Sequence, residues 1–73
     1  MNDHQEAKRL AEDGEILKAL RIAAKVKGRD EYRDAIQVAW ESSQRPDFYR
    51  SIGIDPAEAF ERGIIALKAR YGI

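Results

Sequence analysis

Cysteine is absent from this 73-residue chain, histidine occurs once and proline twice. The first absence excludes a disulfide framework and a thiolate metal site, and it suits a reducing compartment. A single histidine, His4, stands beside Asp3 near a chain end; it makes no dedicated metal site, and a Ser-His-Asp arrangement would require it to leave that terminus. Excess charge of either sign is missing too. Thirteen basic residues balance thirteen acidic ones, so nothing pulls the whole molecule toward nucleic acid or an anionic membrane, and such binding would need a local patch. No run of about 18 apolar residues exists, which excludes a membrane-spanning helix from the reading. The first residues, MNDHQEAKR, lack the apolar core of a signal peptide, and the expected location is the cytoplasm. No glycine-rich phosphate loop is present. The cluster Glu12, Asp13, Gly14, Glu15 has a calcium loop's composition but not its alternating oxygen ligands.

Hydrophobic residues make up 44% of the chain and charged residues 36%, a balance that suits a folded helical protein better than a disordered one. The length allows one domain, residues 1–73, with modest stability. No segment sustains a strand alternation. The spacing predicts a first helix from His4 to Asp13, capped by Asn2 or Asp3, with Asp3 and Glu6 at capping-box spacing; Gly14 stops it. A second helix is expected from Glu15 to Lys27, ending at Gly28 with Lys25 and Lys27 at the negative end of its dipole. Asp30 should cap a third, from Glu31 to Ser43, whose apolar face is Tyr32, Ala35, Ile36, Ala39 and Trp40. The residue before Pro46 avoids the helical region and ends it. Pro46 to Ser51 reads as a short helical turn closed by Gly53. The last helix opens with Asp55 as cap, Pro56 at its first position and Glu58 completing a capping box. Its stripe is Phe60, Ile64, Leu67 and Tyr71, with Gly63 beside it to allow close approach of a neighbour. The expected fold is all-α: an N-terminal antiparallel hairpin, two further helices packed across it and a short helical turn. Its core is Leu10, Leu20, Ile36, Trp40, Phe60, Ile64 and Leu67.

Within residues 7–26, Ala7, Leu10, Gly14, Ile16, Ala19, Leu20, Ala23 and Val26 place small and apolar residues where two helices touch, with a glycine at the turn. This segment resembles one tetratricopeptide-type helical hairpin. It departs from that pattern in lacking an aromatic at Leu10 or Ala23. The resemblance implies binding of a peptide or protein and no catalysis. Without it, the same residues make an ordinary hairpin in a small bundle, and that is the architecture expected.

Two surfaces are candidate sites. RPDFYR places Phe48 and Tyr49 between Arg45 and Arg50. Adjacent aromatics cannot both face the core of one short helix, and Tyr and Arg concentrate binding energy in interfaces. Trp40 stands close by in sequence, as a core residue first and an anchor second. These five residues form the expected partner-binding surface. The other is a basic stripe, Lys18, Arg21, Lys25 and Arg29, on the face of the second helix opposite Ile16, Leu20 and Ala23. Such a stripe could follow a phosphate backbone, although a solvated face is the simpler expectation in an uncharged domain. Around Gly28 the chain could form a helix-turn-helix, but the following helix begins DEYRD, and acids there repel phosphates.

No paired catalytic groups or cofactor motif are found, and no cofactor or metal is expected. The reading is a non-catalytic adaptor or regulator acting on a protein partner, with a nucleic-acid-binding regulator that uses the basic face of the second helix and the RPDFYR loop as the alternative. The reading also allows a homodimer, since a small bundle leaves apolar surface uncovered.

Overall fold

Side-chain caps start the first and last helices, and proline and glycine mark the breaks between several of the others. The computed structural model describes residues 2–26 and 30–73, which form five helices and, among the described residues, no strand. They are α1 (Asp3–Glu12), α2 (Ile16–Lys25), α3 (Arg33–Gln44), α4 (Pro46–Ser51) and α5 (Pro56–Tyr71). Expectations for Lys27, Gly28 and Arg29 lie outside the described residues.

The first helix is capped by Asn2, whose side chain accepts the Gln5 N–H at 2.8 Å. Asp3 lies one position inside the helix, so the Asp3–Glu6 capping box does not form; both acids instead sit in the first turn, where the dipole favours them. At its other end Gly14 takes φ +84°, and the Glu15 N–H reaches back to the Leu10 carbonyl at 2.8 Å. That left-handed closure, in which glycine has no Cβ to clash, reverses the chain within three residues and folds α2 back along α1. Ala7, Ala11, Ala19 and Ala23 are all buried, because small side chains let helices approach closely.

Asp30 does not start a helix at Glu31. Its carboxylate accepts the Tyr32 N–H at 3.0 Å and closes a turn, and α3 begins at Arg33. The same carboxylate receives Arg70 of α5 at 2.7 Å. This long-range pair holds the start of α3 to the end of α5. At the start of α5, Asp55 accepts the Ala57 N–H at 3.1 Å, with Pro56 in the first position. Glu58 does not complete the capping box: it forms a side-chain pair with Arg62 at 2.5 Å.

The principal packing is between α3 and α5, with α1 against α2 as the second pair, and α2 joins the two by packing on α3. The last helices therefore do not lie equally across the hairpin. Leu20, Ile36 and Leu67 are fully enclosed at the centre, each contributing about 1.5–3 kcal/mol of hydrophobic stabilisation. Of the other expected core residues, Leu10, Trp40 and Phe60 are half-buried and pack against this centre, while Ile64 is half-buried outside the cluster. Gly63 lies directly on Ala39, and a methyl added there would overlap the Ala39 Cβ.

Candidate functional site

The bend at Arg45 builds the site. Proline removes the helical option for the residue before it, and Arg45 takes φ −134° and ψ 63°. Its N–H still closes α3 on the Glu41 carbonyl at 2.9 Å, while its own carbonyl accepts the Tyr49 N–H at 3.2 Å. One residue thus serves as the end of α3 and the start of α4. The turn folds α4 against the last turns of α3 and leaves a cleft of about 340 Å³ between them, lined by Trp40, Glu41, Gln44, Arg45, Phe48 and Tyr49.

Four of the five residues expected to bind a partner are brought together here: Trp40, Arg45, Phe48 and Tyr49. Arg50 is not among the lining residues; its guanidinium lies 3.2 Å from Asp47 on the surface of α4. The two aromatics divide the roles. Phe48 is 54% exposed and Tyr49 half-buried. Their rings meet edge to face at 5.3 Å, an arrangement aromatic quadrupoles favour. Trp40 is half-buried, with one side on the core and another on the cleft.

Tyr49 is oriented by its hydroxyl, which donates to Glu41 Oε2 at 2.5 Å. That hydrogen bond to the carboxylate, helped by burial, raises the phenol pKa above its ordinary value. Glu41 Oε1 also accepts from Gln37 at 3.4 Å. Arg45 forms no ion pair among the described residues. The cleft therefore presents aromatic walls, a carboxylate engaged by its neighbours and a guanidinium free to receive an anion. Glu41 and Gln44 are contributions that the sequence reading missed. Glu41 meets Tyr49 eight residues on, a pairing that no local pattern marks and that exists only because α4 folds back on α3.

On α2, Lys18, Arg21 and Lys25 are all exposed, opposite the buried Ala19, Leu20 and Ala23. Lys18 stands 3.9 Å from Glu15, both well exposed, a contact of little energetic weight. His4, near the chain end, has Nδ1 2.9 Å from the Tyr71 hydroxyl. Among the described residues no group of three or more histidine, cysteine or carboxylate side chains could hold a metal, and no helix is long and apolar enough to cross a membrane.

Comparison of the chain with protein-family models, with curated proteins and with solved structures found no match.

Proposed function

We propose that this protein is a non-catalytic adaptor or regulator that binds a protein partner through the cleft between α3 and α4. The observation that carries the reading is Arg45, without an ion pair among the described residues, at the rim of an aromatic-walled concavity in which Phe48 is 54% exposed. An apolar side chain placed among Trp40, Phe48 and Tyr49 would lose its hydration, and an adjacent carboxylate would meet Arg45. A desolvated aromatic centre with a charged rim is the usual arrangement of an interaction hot spot. The expected ligand is a peptide segment with an aromatic or large aliphatic residue next to aspartate or glutamate.

Selection from a displayed random-peptide library against the whole protein tests this. Enriched peptides should share that pairing and lose affinity for the Phe48→Ala and Arg45→Ala variants. Enrichment of unrelated sequences, or binding indifferent to both substitutions, would refute the proposal.

A second reading is nucleic-acid binding along α2, supported by the exposed line of Lys18, Arg21 and Lys25. It requires an affinity for DNA or RNA oligonucleotides that falls steeply with salt and vanishes when the three cations are changed to glutamate.

A further inference from the structure

A second cleft, of about 350 Å³, opens between the first turns of α3 and of α5 and is closed at one side by the loop from Gly53 to Asp55. Its apolar surface comes from Ala35, Val38 and Ile54. Around it stand the carboxylates of Asp34, Asp55 and Glu58; Glu58 is paired with Arg62, the cation among the lining residues, at 2.5 Å, so the net negative charge of the rim is that of Asp34 and Asp55. The cleft is thus an apolar floor with a negative rim.

The outer face of α2 has the opposite character. Leu17 is 48% exposed. Arg21 and Lys25 follow it at four-residue intervals along the same face, and Lys18 lies alongside. From Leu17 to Lys25 this face runs about 12 Å at the helical rise. No acidic residue occurs within α2. An apolar side chain among cations on one surface matches an apolar floor among carboxylates on another. Both halves are carried by one molecule with zero net charge.

We propose that the α2 face of one molecule seats in the α3/α5 cleft of a second copy. Leu17 meets the apolar floor, and Lys18, Arg21 and Lys25 meet the rim formed by Asp34, Asp55 and the Glu58–Arg62 pair. Charge complementarity selects the second copy as occupant. The two patches are different surfaces, so the contact is heterologous: it joins molecules head to tail, into a ring or an open chain, and does not close as a two-fold dimer. Neither patch belongs to the α3/α4 cleft, so this assembly and the proposed partner binding succeed or fail separately.

Sedimentation of the whole protein across a concentration series tests the proposal. At low salt the mass should rise with concentration and pass beyond a dimer. Between about 50 and 300 mM salt the association should weaken roughly tenfold, because exposed charges are screened over that range. The variant K18E/R21E/K25E and the variant D34N/E58Q should each be monomeric alone while retaining the helical spectrum. Mixed, they should form a discrete one-to-one pair, since each supplies the face the other lacks. A wild-type protein monomeric throughout would overturn the proposal, as would an association that survives the triple reversal, or two folded variants that fail to pair. The wild-type salt series needs no substitution and decides the matter if a variant does not fold. A monomer that instead binds a short lysine- and leucine-rich peptide would assign the cleft to a basic partner and overturn the second copy as its occupant.

Discussion

Gly63 of α5 lies on Ala39 of α3 with only the Ala39 methyl between the two backbones. In an exposed helix interior, replacing glycine with alanine gains about 1 kcal/mol of helix propensity. Here the new methyl would overlap the Ala39 Cβ and stand 3.3 Å from the Ala35 carbonyl oxygen, and neither neighbour is the end of a flexible side chain. Overpacking of a rigid contact costs about 1–3 kcal/mol, enough to outweigh the propensity. Gly63→Ala should therefore lower the melting temperature, and adding Ala39→Gly should restore part of it. Thermal denaturation of the two single variants and the double variant checks the sign.

The pair formed by Arg70 and Asp30 predicts a pH dependence. The Arg70 side chain is 8% exposed and hydrogen-bonds Asp30 at 2.7 Å, with a further bond to the Ala23 carbonyl at 3.4 Å. The Arg70 hydrogen bond holds the Asp30 carboxyl below its ordinary value. A carboxyl whose folded pKa is depressed contributes stability that is present above its unfolded value, near 3.9, and disappears as pH falls through the lower folded value. Asp30→Asn retains an acceptor for the Tyr32 N–H but removes the charge. It should cost about 1 kcal/mol at pH 7, at the low end for a charged hydrogen bond because Asp30 is partly in water. The difference from wild type should close as the pH falls below about 4. Urea unfolding at several pH values measures it.

Tight packing of the hairpin can be tested at Ala19 and Ala23, both buried. Leucine at either position adds three carbons where α2 meets its neighbours and should destabilise by about 1–3 kcal/mol. Two neutral substitutions would mean that these helices are not closely apposed.

Phe48 is the cleanest probe of the α3/α4 cleft, because its exposure separates binding from folding. Phe48→Ala should leave the melting temperature within a degree or two of wild type. It should weaken a selected peptide by about thirtyfold, the loss of roughly 2 kcal/mol expected of a hot-spot residue. Tyr49→Phe is expected to lower stability by less than about 1 kcal/mol through loss of the bond to Glu41. Arg50→Ala should have little effect on binding, since Arg50 does not line the cleft. Titration calorimetry and thermal melts of the same three variants distinguish these outcomes.

The sequence by itself determined the helices and most of their ends, because those depend on chemistry within a few residues. Pro56 and Asp55 start α5, Gly14 and Gly53 turn the chain with positive φ, and Pro46 interrupts the run from α3 into α4. The exposed cations of α2 were legible in the same way, since the 3.6-residue period separates Lys18, Arg21 and Lys25 from the buried Leu20 and Ala23. Even the Gly63 contact was foreseen as a close approach, though not against which helix. Tertiary structure alone decided what depends on distance in space. Asp30 and Arg70 are forty residues apart in sequence, and no local pattern marks them as partners. Phe48 and Tyr49 were recognisable as a pair, but which of them faces water follows from the bend at Arg45 and the carboxylate of Glu41 waiting on α3. Periodicity records which side of a helix is apolar; it does not record which neighbour that side meets.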